Sequence, residues 1–260
     1  MINLMSNYSE SKKYIAHRGL SGLAPENTLA AFRLACNAGF WGVECDIQLS
    51  KDLDFVIIHD SSLDRLCGIS ESVSMLTMND IQKYLIISGN NIVHYPSEKC
   101  PSLREYLALI SQYMDIHPVI EIKFELTLEL AVKLISTVDE FISRYDVYFI
   151  SFYSESLFAL KTLDSSLHLM YLSRDINRDI VEFCVENRFD LDIYFDSDYV
   201  DYVDYLHENN RLLGIWTVDD EDVVHQLFSE TGIDFVTTNM PLPYIMGDVV
   251  DGGETTGKTR

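Results

Sequence analysis

Eight polar residues stand in four close pairs along the first half of the chain: His17 with Arg18, Glu44 with Asp46, His59 with Asp60, and Glu121 with Lys123. Each pair lies at or near the end of a short apolar run. Glu44 and Asp46 share one face of an extended strand, as do Glu121 and Lys123, because side chains alternate with a period of two. Three carboxylates facing one pocket repel each other unless a cation sits among them. A donor set made only of oxygen favours one hard divalent ion, Mg²⁺ or Ca²⁺, over Zn²⁺. Two histidines beside it suit acid and base work, since imidazole exchanges protons near neutrality. Arg18 and Lys123 supply the local positive charge that would hold a phosphate. The residue types together read as metal-assisted displacement at phosphorus.

These residues can act together only if the chain brings their strands side by side. Apolar runs predict strands at 14–18, 41–48, 118–123, 146–151, 168–172, 191–195, 212–218 and 233–238. Amphipathic stretches predict helices near 27–38, 103–114, 126–143, 154–163, 176–187, 198–209 and 220–230. Eight strands alternating with helices in 260 residues predict an α/β fold, a (β/α)8 TIM barrel. A doubly wound sheet fits less well, because no G-x-G-x-x-G follows the first strand. Barrel active sites collect at the C-terminal ends of strands, where the polar pairs fall. Residues 54–59 form an extra strand, joined to 41–48 by a polar turn too short for a helical crossover. It must pair as a hairpin, which carries His59 toward Glu44 and Asp46. Residues 61–101 lack the helix–strand rhythm and read as a cap-like insertion after the second strand. A single barrel domain is expected over 1–247, with 248–260 a disordered tail.

Composition narrows the partners. Hydrophobic residues make up 47% and charged residues 23%, and 19 basic against 41 acidic side chains give a net charge of −22. Nucleic acid and anionic membrane surfaces bind through clustered Lys and Arg, which this chain lacks. No apolar run approaches the roughly 18 residues needed to span a bilayer, and the opening segment has no signal-type apolar core. Cys36, Cys45, Cys67, Cys100 and Cys184 are odd in number and contain no C-x-x-C pair, which argues against a disulfide framework. The expectation is a soluble, cytoplasmic protein acting on a small molecule, with no membrane insertion and a homo-oligomer left open.

The run HRGLSGLAPENT from His17 to Thr28, followed by Ala31 and Phe32, resembles the opening of glycerophosphodiester phosphodiesterases. ECD (Glu44 to Asp46), HDSSLDR (His59 to Arg65), PSLRE (Pro101 to Glu105), EIK (Glu121 to Lys123), Ser151 with Phe152, WTV from Trp216 and the closing TNMP follow in family order. The resemblance implies a (β/α)8 barrel that hydrolyses glycerophosphodiesters to sn-glycerol 3-phosphate and an alcohol. It implies a divalent ion on Glu44, Asp46 and Glu121, His17 and His59 as the acid–base pair, and Arg18 and Lys123 on the phosphate. Phe152 and Trp216 lie where an aromatic wall for glycerol could stand, although a core role suits Trp216 equally. Related barrels that cleave lysophospholipids or transfer phosphate within the substrate are the alternative. A barrel that binds without turnover is a third reading, against which the intact histidine and carboxylate set speaks. Leu53 stands where the family's turn usually has glycine, which points to a different turn type. Asn239 replaces a usual Asp, which weakens support for the last loop, and Phe235 replaces a usual glycine.

Other polar residues have blander readings. His94, His117, His168, His207 and His225 lack clustered carboxylates and read as structural. Glu121 and Lys123 could form only a structural ion pair, but that leaves Glu44 and Asp46 unexplained. Asn27 is placed to cap the first helix, with Thr28 beginning it. Glu26 is a candidate for the metal's surroundings or for a hydrogen bond to a histidine. Asp190, Asp192 and the acidic residues that follow them to Glu208 read as a solvated helix face, since their spacing does not match an EF-hand loop.

Overall fold

The computed structural model describes residues 13–230 and 232–240. In chain order the elements are β1 (Lys13–Ala16), α1 (Leu29–Asn37), β2 (Gly42–Leu49), β3 (Phe55–Ile57), α2 (Asp64–Cys67), α3 (Met78–Ile81), α4 (Leu103–Ile110), β4 (His117–Ile122) and α5 (Leu128–Asp139). They continue with β5 (Tyr148–Ser151), α6 (Ser154–Leu163), β6 (His168–Ser173), α7 (Arg178–Asn187), β7 (Asp190–Tyr194), α8 (Val200–Glu208), β8 (Leu213–Trp216), α9 (Glu221–Glu230) and β9 (Phe235–Thr238). Eight parallel strands form a closed ring in the order β1-β2-β4-β5-β6-β7-β8-β9, with β1 pairing to both β2 and β9. The chain is the TIM barrel its alternation predicts.

Strand parity divides the core in two. One set of alternate residues, including Val43, Ile120, Phe149 and Ile193, packs outward against the helices. The other set, including Ile15, Val119, Ile150 and Leu172, fills the barrel interior. Thr28 caps α1 by accepting from the Ala31 amide, so Asn27 is not the cap. Its side chain is released for another task.

The extra strand owes its place to a length mismatch. Of β2, β1 pairs only with Gly42 and Val43, so the upper edge of β2 is left open. β3 takes that edge in antiparallel register, Ile47 opposite Ile57 and Leu49 opposite Phe55. The connecting turn is held by Ser50, whose hydroxyl bonds Asp52 Oδ1 at 2.7 Å and the Asp54 carbonyl at 3.0 Å. Leu53 adopts φ 61°, so a leucine occupies a left-handed position that favours glycine.

Residues between β3 and α4 pack a separate small core from Ile58, Leu63, Leu66, Val73, Met78 and Ile86. Much of the apolar content of the insertion is thereby used internally, although Met75, Leu85 and Ile87 stay exposed. The five cysteines are buried free thiols. Among the described residues no helix is long and apolar enough to cross a membrane. The tail assigned to 248–260 lies outside the described residues.

Candidate active site

β1 ends at Ala16, which leaves His17 and Arg18 in the turn above the rim. The His17 amide donates to the Thr238 carbonyl at 2.8 Å, tying that turn to the end of β9. Arg18 has φ 55°. Its amide donates to Glu44 Oε2 at 2.7 Å, and its guanidinium lies 3.1 Å from Asp46 Oδ2 and 2.9 Å from Glu26 Oε1.

Glu44 and Asp46 point inward from β2, and Glu121 points inward from β4, its register partner being Asp46. One oxygen from each of the three carboxylates falls within 4.8 Å of the others. Glu44 Oε1 and Asp46 Oδ1 are buried and accept no hydrogen bond. Burial, with the charges of Asp46 and Glu121 added, pushes Glu44 well above the usual carboxylate range. Burial and Asp46 lift Glu121 to about 8. Burial would raise Asp46 too, but Arg18, Lys123, His59 and the Asn27 amide outweigh it and hold that carboxyl at about 2. Orphaned oxygens and uncompensated buried carboxyls are what a hard divalent cation would relieve, so the residues present fit such an ion. Lys123 supplies part of the balance, with its ammonium 2.7 Å from Glu121 and 3.5 Å from Asp46.

The two histidines are held through their Nδ1 atoms. His17 Nδ1 lies 2.7 Å from Asn239 Oδ1. Asn239 Nδ2 in turn donates to Asp219 Oδ2 at 2.8 Å, which fixes the amide's orientation. The expected weakness of the last loop is therefore absent: Asn239 is tied into it from both sides. Burial first, then the Arg18 charge, lowers His17 to about 4, so its ring is neutral near neutrality. His59 Nδ1 lies 2.8 Å from Asp60 Oδ1, and Arg65 clamps Asp60 at 2.6 Å. Arg65 also bonds Glu26 at 2.7 Å. A chain of contacts thus joins His59 to Arg18 through Asp60, Arg65 and Glu26.

His17, Arg18, Glu44, His59, Glu121, Lys123, Phe152 and Trp216 line a single cavity of about 310 Å³. Phe152 and Trp216 meet edge to face with centroids 5.8 Å apart, forming one wall. Asp46 is not on the surface of this cavity and stands just behind it.

Several partners escaped sequence reasoning. Asn27 donates to Asp46 Oδ2 at 2.7 Å and accepts from the Asp46 amide at 3.2 Å, so it orients a carboxylate. Glu26 reaches neither the carboxylate cluster nor a histidine; two arginines occupy it. Asp190 and Asp192 belong to β7 and are buried, so the solvated helix face begins only beyond them. Their alternation with apolar Leu191 and Ile193 was the signal that could have found them. His117 and His168 stack on Trp41 and Tyr148 at 4.5 and 4.4 Å, away from the cluster.

A family model, glycerophosphoryl diester phosphodiesterase, matches residues 17–242. A glycerophosphodiester phosphodiesterase of Caldanaerobacter subterraneus subsp. tengcongensis is 31% identical over 232 residues, 87% of this chain and 93% of that protein. An Oleispira antarctica phosphodiesterase solved in complex with the product sn-glycerol-3-phosphate aligns with TM-score 0.80 at 27% identity, over 91% of this chain and 96% of that one. A Thermotoga maritima glycerophosphodiester phosphodiesterase aligns with TM-score 0.69 at 25% identity, over 90% and 96% of the two chains.

Proposed function

This chain belongs to the glycerophosphoryl diester phosphodiesterase family, and from that membership we propose that its barrel-top cavity hydrolyses glycerophosphodiesters to sn-glycerol 3-phosphate and an alcohol. The observation that carries this reading is the convergence, at one cavity, of two oriented histidines and a buried cluster of three carboxylates in which Glu44 Oε1 and Asp46 Oδ1 accept no hydrogen bond. Glu44, Asp46 and Glu121 would hold a divalent cation of the Mg²⁺ or Ca²⁺ class. When bound, that ion would draw electron density from a phosphate oxygen and offset the carboxylate charges.

The remaining roles belong to the protein's own side chains. Arg18 and Lys123 orient the phosphate and neutralise its developing charge. Asn239 accepts the Nδ1 proton of His17, which leaves Nε2 with a free lone pair on a ring kept neutral by burial. His17 is the base: it takes the proton of the attacking water as the new P–O bond forms. Where the glycerol's own hydroxyl attacks instead, the first product is a cyclic phosphate, and a second attack by water opens it to sn-glycerol 3-phosphate. His59, steadied by Asp60, gives its Nε2 proton to the oxygen of the departing alcohol as the old P–O bond breaks. The proton then returns from His17 to His59 through solvent. Phe152 and Trp216 pack against the carbon skeleton of glycerol. The segment 61–101, with its own small core, serves as a cap beside His59.

Phosphorus NMR of the protein with glycerophosphocholine, glycerophosphoethanolamine and a lysophospholipid, each with Mg²⁺, Ca²⁺ or chelator, tests this reading. Cation-dependent release of sn-glycerol 3-phosphate is expected. A cyclic phosphate end product, or turnover of the lysolipid alone, would assign the alternative reaction. No turnover with a bound cation would leave only a binding role.

A further inference from the structure

β7 presents a carboxyl that the mechanism above leaves unused. Asp192 is 4% exposed, and its Oδ1 accepts no hydrogen bond. It lines the same cavity as His17 and Glu44. Counted either way round the eight-strand ring, β7 is four places from β2. Asp192 therefore faces the carboxylate cluster from the opposite wall, beside Ile150, Phe152, Leu172 and Trp216.

The position is built for a carboxyl. Gly214 is the register partner of Asp192 on β8. A Cβ at Gly214 would stand 2.6 Å from Asp192 Oδ1, so the missing side chain is what leaves the carboxyl its space. The Trp216 indole leans on the same residue, donating to the Asp192 carbonyl at 3.4 Å. An unpaired polar group in apolar surroundings destabilises a fold and is retained where a ligand completes its hydrogen bonds. Burial alone pushes Asp192 up to about 8, so near neutrality it is an uncharged acid, able both to donate and to accept. That chemistry complements a hydroxyl. A cationic group entering the cavity would also meet Arg174, which lines it.

We propose that Asp192 is a specificity-determining residue that hydrogen-bonds the terminal hydroxyl of the substrate's glycerol, the hydroxyl farthest from the phosphate. The inference rests on the phosphodiesterase reading. It follows from the cavity's polarity: His17, Arg18, His59 and Lys123 lie beside the carboxylate cluster and mark the phosphate wall, and Asp192 is a polar group, able to donate and accept, on the opposite wall, which the far end of glycerol would reach.

The test compares glycerophosphocholine with the phosphocholine diester of propane-1,2-diol, which keeps the hydroxyl beside the phosphate and lacks only the terminal one. Wild type is expected to favour the glycerol diester about 10- to 100-fold in kcat/KM. Asp192→Leu should lose that preference by losing activity on the glycerol diester alone, while Asp192→Asn, which still donates and accepts, should keep most of it. No wild-type preference, or equal losses on both diesters in the leucine variant, would overturn the proposal. A loss confined to choline and ethanolamine diesters, sparing glycerophosphoglycerol, would overturn it in favour of an ammonium subsite. Calorimetry of sn-glycerol 3-phosphate against propane-1,2-diol 1-phosphate separates this outcome from failure of the phosphodiesterase reading. If wild type turns over no diester yet binds glycerol phosphate more tightly and the leucine variant does not, the hydroxyl contact stands by itself; equal binding sinks it.

Discussion

Replacing Glu121 by glutamine should stabilise the cation-free protein and destabilise the cation-loaded one relative to wild type. The Glu121 carboxyl is raised from about 4.5 to about 8 by burial first and the neighbouring Asp46 charge second. A raised carboxyl favours folding below its unfolded value, and that advantage drains away as the pH climbs through the folded value. Integrating between those two values puts the penalty at about 1 kcal/mol at pH 5 and about 4 kcal/mol at pH 7.5. Glutamine keeps the shape and an acceptor for Lys123 but has no proton to take up, so Glu121→Gln removes the penalty. In chelator at pH 7.5 its melting temperature should exceed that of wild type by on the order of 10 °C, and at pH 5 by only a few degrees. With saturating Mg²⁺ or Ca²⁺ the order should reverse, because wild type gains from binding and the variant has lost one of three carboxylates. Differential scanning calorimetry at both pH values, with chelator and with each ion, decides the matter. A variant less stable than wild type in chelator at pH 7.5 would refute the reasoning. Glu121 would then be a stabilising partner of Lys123 and no strained ligand.

The other expectations are shorter. His17→Ala and His59→Ala should each lower kcat by about 10²- to 10⁴-fold with the fold intact by circular dichroism, and full activity in either removes that residue from the chemistry. Asn239→Asp places a carboxylate on His17 Nδ1 and should raise that ring from about 4. Because the base works unprotonated, the acidic limb of the kcat/KM profile should move to higher pH, and an unmoved limb would show that His17 is not the titrating base. Leu53→Gly should relieve the left-handed backbone at φ 61° and raise stability by about 0.5–1 kcal/mol after glycine's own entropy is counted, read by urea titration with activity unchanged. A less stable variant would mean that the leucine's contacts outweigh its strain.

The alternation of apolar runs and amphipathic stretches was enough for the barrel, because strand and helix periods are local properties of the chain. The hairpin at 54–59 was legible for a related reason: five connecting residues cannot support a parallel crossover, so His59 had to return toward Glu44 and Asp46. The ordered motifs named the catalytic candidates. Position-by-position support was not legible. His17 and Asn239 are 222 residues apart and meet only because β9 closes against β1, so the reading of Asn239 as a weakness had no means of seeing its link to Asp219. Asn27 sits beside a good cap residue, and which of the two caps depends on where Asp46 lies across the sheet. Asp192 was submerged in an acidic run. Only the parity of β7 and the empty side of Gly214 turn it inward, and only ring closure sets it opposite the carboxylate cluster. Sequence by itself thus determined the elements, their order and the residue types at the strand ends. Tertiary structure decided which side chains complete one another, because hydrogen-bond partners and burial depend on distances across the barrel that no local pattern encodes.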